Sequence, residues 1–324
     1  AFARQAGATH IVAHLVDYFS SGPTIPASSS TGLGWGVTDR GDAPWTLAEG
    51  EGIREKVEAA GLQLAAIENL DPAHWHDILL DGPRREEQVE IVKASIDVLG
   101  QAGVPCLGYN FSLAGVWGHI RGPFARGGAE SLAFDESLMP EQTPIPGGQI
   151  WNMTYDLSAG GSVVPPTGAD VIWDRLIRFL GDVIPTAEKA GVTLCAHPDD
   201  PPVSELRGIG RVLTSPAAIS RLLDEVDSPS NCIEFCQGTI SEMPDADVIA
   251  VIREVGRRGR IGYVHFRNVQ GRTPQYREAF VDDAADGFHH GDGVFALEDV
   301  AAHVHAVRAL LDGVVAHGQR FRLR

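Results

Sequence analysis

His197, Cys236 and His265 each close or nearly close a short apolar run, in "VTLCAH" (192–197), "NCIEFC" (231–236) and "IGYVHFRN" (261–268), and stand 39 and 29 residues apart. Each interval is about one strand-helix unit. Three successive parallel strands would therefore carry an imidazole, a thiolate and an imidazole to one level. Such a mixed nitrogen and sulfur set suits a borderline divalent ion, whether zinc, iron, manganese or cobalt, with geometry rather than affinity selecting among them. Taken singly, a strand-end histidine is more often a hydrogen-bonded structural residue, and a buried cysteine is more often packing. Three at successive strand ends point instead to a metal site. Arg267 follows His265 by two and so shares its strand face, whereas Asn268 falls on the other. Arg211, after "RGIG", and Arg121 are weaker cationic candidates. Arginine grips a carboxylate through paired N–H donors, so metal beside arginine suits a sugar acid or keto acid.

Positioning these residues requires repeated strand-helix units. Besides the three runs above, "HIVAHL" (10–15), "LQLAAIEN" (62–69) and "VPCLGYNF" (104–111) read as strands. Helices are expected near 47–60, 84–102, 171–190, 216–226, 245–257 and 297–311, several closing at glycine as in "EAAGLQL" and "EKAGVTL". This alternation fits an α/β fold, either a doubly wound sheet or a (β/α)8 barrel. No Gly-x-Gly-x-x-Gly turn follows any strand, which counts against a dinucleotide fold. Polar residues end strand after strand (Glu68, Asn110, His197, Cys236, His265), and in a barrel those ends converge on one mouth. The expectation is one (β/α)8 TIM barrel domain over 1–324, with insertions at 20–46, 112–170 and 270–295 lying over the C-terminal face.

The 324 residues carry a formal net charge of -17, which argues against nucleic acid or an anionic membrane as partner. Hydrophobic content of 44% beside 21% charged residues describes a soluble globular chain. No run approaches a membrane span, and the first residues, "AFARQAGATH", lack a signal-peptide pattern, so a cytoplasmic protein is expected. Cys106, Cys195, Cys232 and Cys236 are too sparse for a disulfide framework and fit reduced thiols.

"AHPDDPP" followed by "GIGRVLTSP", then "IEFCQGT" and "YVHFRNVQG", resembles the mannonate dehydratase family. "GLQLAAIEN", "AGVPCLGYNF" and "FHHGDGVF" extend the likeness over most of residues 1 to 318. The resemblance implies a xylose-isomerase-like (β/α)8 barrel that uses manganese to convert D-mannonate to 2-keto-3-deoxy-D-gluconate. His197, Cys236 and His265 would then hold Mn2+, or Fe2+, Co2+ or Zn2+ in its place, and "PDDPP" would keep the loop after His197 rigid beside the substrate. Family chains begin with an additional strand and helix, so the first barrel strand is expected to be missing from this one. Their last strand ends in Pro-Asp-His-Gly, with the Asp a further ligand. Here "VVAHG" keeps His317 and Gly318 but has Ala316 in place of the Asp. Weaker metal retention and lower activity are the expected consequences.

Dehydration of an aldonate removes the proton α to a carboxylate and expels a β-hydroxyl. A divalent metal helped by Arg267 would stabilise the charge that develops. His317 is the acid/base candidate, with His289 and His290 in reserve. Glu68 and Asn110 would orient hydroxyls, and Asn268, Arg211 and Asp199 would complete the substrate contacts. The partner expected is a small sugar acid. Barrels of this type often form homo-oligomers, although no residue marks an interface. Two other readings fit the same residues: a sugar isomerase or epimerase on the same barrel, and a weakened homologue that binds a sugar acid without turning it over.

Overall fold

The computed structural model describes residues 2–5, 7–16, 36–38, 40–139, 141–280 and 283. The expected helix near 297–311 and the positions of His289, His290, Ala316 and His317 lie outside the described residues.

Short β-rich apolar runs bounded by glycine, proline and polar residues become six parallel strands of one sheet. They are β1 (His10–Ala13), β2 (Gln63–Glu68), β3 (Cys106–Tyr109), β4 (Thr193–Ala196), β5 (Asn231–Cys236) and β6 (Ile261–His265). Their order in the sheet is their order in the chain, and every pairing is parallel. A doubly wound sheet reverses its order at a switch point. This one does not, so its successive crossovers turn the same way, as in a barrel. The architecture is α/β and barrel-like.

The connecting helices are α1 (Leu47–Ala59), α2 (Pro72–Leu80), α3 (Arg85–Gln101), α4 (Ala169–Ala190), α5 (Pro216–Glu225), α6 (Gln237–Glu242) and α7 (Val248–Arg257). In α4 the buried residues Ile172, Leu176, Phe179, Val183 and Ala187 recur every three or four positions, placing one apolar stripe against the sheet. Gly191 ends that helix at φ 68°, a left-handed cap that glycine adopts without a Cβ clash. Neither α2 nor α6 is among the helices expected from the sequence. In α2, Asp71 caps the first turn and Pro72 starts it, but residues 72–79 are all buried and leave no amphipathic period to detect.

The insertions contain more order than their composition suggests. Ile120–Gly122 and Ser131–Asp135 join Asn268–Arg272 and Gln275–Ala279 in a four-stranded antiparallel sheet, uniting the 112–170 and 270–295 segments. Gly36–Val37 pairs with Met153–Thr154, which ties in the 20–46 segment. The described strands of these segments follow the C-terminal ends of β1, β3 and β6 in the chain and make up what is termed the roof.

Strand alternation separates two cores. Outward residues such as Ile67, Leu107, Leu194, Ile233 and Phe235 pack with the helices in the main apolar cluster. A separate small cluster inside comprises Ala66, Cys106, Cys195, Cys232 and Tyr263. All four cysteines are free and buried, in accord with reduced thiols.

Candidate metal centre

The ends of β4, β5 and β6 bring His197, Cys236 and His265 together, with one donor atom of each lying within 4.8 Å of the other two. Register accounts for this. Cys236 is directly opposite His265, and β4 and β5 pair side by side. The separation suits an ion with metal–nitrogen bonds of about 2.0–2.1 Å and a metal–sulfur bond of about 2.3 Å, so the three donors fit a divalent metal.

Two of the donors are held from behind. His197 Nδ1 lies 2.6 Å from the Pro198 carbonyl, a contact that puts a proton on Nδ1 and leaves Nε2 as the nitrogen that would bind an ion. Cys236 Sγ accepts from Thr239 Oγ1 at 3.1 Å and from the Thr239 amide at 3.5 Å. Burial alone would raise the Cys236 thiol, but the charge of His197 and contacts with both histidines hold it well below its usual range. Burial likewise opposes charge on His197, and the Cys236 and Glu234 charges override it and raise its pKa. His265, raised chiefly by its contact with Cys236, keeps 47% of its side chain exposed.

Beneath these donors is an acidic floor that the sequence reading missed. Glu234, two residues before Cys236 on the same face, is fully buried. Tyr263 donates its hydroxyl to Glu234 Oε2 at 2.6 Å, and Oε1 has no hydrogen-bond partner among the described residues. Burial pushes its carboxyl up to about 7, opposed by His197 and reinforced by Glu68. Gly108 makes this floor possible: a Cβ there would lie 2.0 Å from Tyr263 Oη and 3.0 Å from Glu234 Oε2. Glu68 borders the same glycine, its Cγ 3.1 Å from that position. Asn110, also buried, has an Oδ1 with no hydrogen-bond partner among the described residues. The alternation in "CIEFC" was the available signal for Glu234.

The expected catalytic Arg267 and the expected substrate contacts Arg211, Asp199 and Asn268 all have partners within the protein. The Arg267 guanidinium pairs with Asp200 at 2.8 Å, with Glu278 at 3.5 Å and with the buried Glu242. Arg211 faces Asp199 at 3.3 Å and donates to the Gly115 carbonyl at 2.7 Å. Asp199 Oδ2 also accepts the amides of Val212 and Leu213, both at 2.9 Å, so it closes the loop on itself. Asn268 donates to the carbonyls of Phe280 and Asp283 at 2.8 and 2.9 Å and anchors the roof. Arg121 is exposed on its roof strand.

A buried network joins roof to mouth. Asp200 Oδ1 accepts from Tyr276 Oη at 3.0 Å and lies 3.4 Å from His119 Nε2, which is itself 2.8 Å from Tyr276 Oη. Burial pushes His119 down to about 4, so it is neutral near pH 7. Burial alone would raise the Asp200 carboxyl, but the Arg267 guanidinium reverses this and holds it well below the usual carboxylate range.

Residues 4–307 match the family model described as D-mannonate dehydratase (UxuA). The chain belongs to the D-mannonate dehydratase family. A mannonate dehydratase of Streptococcus equi subsp. zooepidemicus is 34% identical over 255 residues, or 75% of this chain and 68% of the relative. One from Thermotoga neapolitana is 34% identical over 245 residues, or 70% of this chain and 66% of the relative. The chain thus spans about two thirds of the length of these relatives. The crystal structure of mannonate dehydratase from Streptococcus suis serotype 2 aligns with a TM-score of 0.66 at 30% identity, covering 82% of this chain and 72% of that one. Membership in the mannonate dehydratase family agrees with the likeness read from "AHPDDPP", "IEFCQGT" and "YVHFRNVQG". Among the described residues, no helix is long and apolar enough to cross a membrane.

Proposed function

We infer that this chain is a metal-dependent hydro-lyase that converts D-mannonate to 2-keto-3-deoxy-D-gluconate and water. The observation that carries the reading is the convergence of His197, Cys236 and His265 on one point, in a member of this family. Those three residues would hold a divalent ion, with Mn2+ preferred over Fe2+, Co2+ or Zn2+. The ion would supply Lewis-acid stabilisation of the charge that develops at the substrate carboxylate when the α-proton leaves.

The chain's own groups account for the remaining requirements. Loss of the α-proton and of the β-hydroxyl leaves an enol, which becomes the 2-keto product on reprotonation at C3. His317 is proposed to handle the proton that accompanies the departing hydroxyl. Glu68 and Asn110 Oδ1 are acceptors facing the mouth and would take hydrogen bonds from substrate hydroxyls. Arg267 and Asp200 cross-link the loop after His197 to the segment after His265 and keep the two histidine ligands in register. Closure of the six-stranded sheet into a (β/α)8 barrel, as a single domain over 1–324, is part of the same proposal.

The test is turnover of an aldonate panel by the Mn2+-loaded protein, read as formation of a 2-keto-3-deoxy acid, beside Cys236→Ala. Mannonate should be consumed by the wild type and not by the variant. Conversion to an isomeric sugar without loss of water would favour an isomerase or epimerase. Binding of mannonate without turnover, with Mn2+ present, would replace the enzyme by a sugar-acid binder.

A further inference from the structure

The three proposed ligands are not held alike. His197 has its Pro198 carbonyl and Cys236 has Thr239. Among the described residues, His265 has no such partner outside the donor trio within hydrogen-bond distance, and its imidazole is half exposed. Glu234 Oε1 lies 4.0 Å from His265 Nδ1, and it is the floor oxygen that has no hydrogen-bond partner among the described residues. A buried carboxylate oxygen without a donor is costly, and an imidazole that binds metal through one nitrogen has an N–H to give through the other. Tyr263 fixes the carboxylate by binding Oε2, which keeps Oε1 directed at His265.

Building on the metal reading above, we propose that Glu234 is a positioning residue for the centre. When the ion binds, His265 donates Nδ1–H to Glu234 Oε1 and coordinates through Nε2. The carboxylate then fixes the tautomer and angle of the most exposed ligand, and the orphaned oxygen is satisfied in the same step. Glu234 itself lies outside the set of mutually close donor atoms, so it acts through His265 rather than on the ion.

Two measurements on the full chain test this. In protein loaded with diamagnetic Zn2+, a slowly exchanging downfield imidazole proton assigned to His265, by its loss in His265→Ala, should be present in the wild type. It should vanish in Glu234→Ala while the His197 ring proton remains. Equilibrium binding of Mn2+, followed by the signal of the free ion, should weaken about 10–100-fold in Glu234→Ala. Glu234→Gln keeps an acceptor oxygen and should recover much of the loss. A wild-type spectrum without the His265 ring proton overturns the proposal, even if the alanine variant does not fold. So does a ring proton that persists in Glu234→Ala, or Mn2+ affinity that does not change there. Equal Mn2+ binding by wild type and Cys236→Ala would instead overturn the metal reading itself, an outcome distinguishable from failure of the Glu234 role alone.

Discussion

On β5, the outward residues Ile233 and Phe235 and the inward residues Cys232, Glu234 and Cys236 are equally buried, none more than 3% exposed. The outward pair is complete in itself: apolar side chains against apolar helices. The inward face is not, because it holds a carboxylate oxygen with no donor among the described residues and a low-pKa thiol among imidazoles. Burial therefore does not separate scaffold from site within one strand. What separates them is whether each polar atom already has its partner within the protein.

Substitutions should divide along that line, and the largest effect is expected on the outer face. Phe179 of α4 packs against Trp75, Tyr109 and Phe111 at ring-centroid distances of 5.9, 5.8 and 5.7 Å. Phe179→Ala should cost about 3–5 kcal/mol in urea unfolding and leave the Mn2+ affinity of the folded protein unchanged. A parallel loss of affinity would show that the two faces are not separable.

Next comes the roof network. The unfolded chain protonates His119 near its ordinary value, and the folded protein only near 4. Between those values the unfolded state holds more protons, so stability should fall as pH drops from about 6.5 towards 4, by about 3 kcal/mol at most. His119→Gln should flatten that part of the stability curve. An unchanged slope would place the acid sensitivity elsewhere.

Gly108→Ala should cost about 1–3 kcal/mol by overpacking, and it should also weaken metal binding because the new methyl displaces the Tyr263 hydroxyl from Glu234. Loss of stability with metal affinity intact would detach the acidic floor from the centre. The smallest effect belongs to the surface: Arg54→Ala, which breaks the ion pair with Glu58 on α1, should change stability by about 0.3–0.5 kcal/mol and nothing at the mouth.

The same division explains what the sequence revealed. Strand order and the three donors were readable because alternation and spacing are local properties: His197, Cys236 and His265 end strands one unit apart, and neighbouring parallel strands must bring them level. The partners of Arg267, Arg211 and Asp199 could not be read from the sequence, because charge partners are a property of the folded chain. Asp200 reaches Arg267 across 67 positions, and Arg211 contacts Gly115 across 96. Glu234 was visible in principle at i−2 from Cys236, but its meaning depends on Tyr263 and Gly108, which come from other strands. The insertions read as irregular because their strands are short and pair across about 140 residues, as Gln275 does with Asp135.

The most direct test of the central claim is the metal content of the purified chain and of His197→Ala, Cys236→Ala and His265→Ala after equilibration with limiting Mn2+. The wild type should retain the ion and each variant should lose most of it, with secondary structure unchanged by circular dichroism. Retention of the wild-type amount by all three variants would contradict a metal centre built on the ends of β4, β5 and β6.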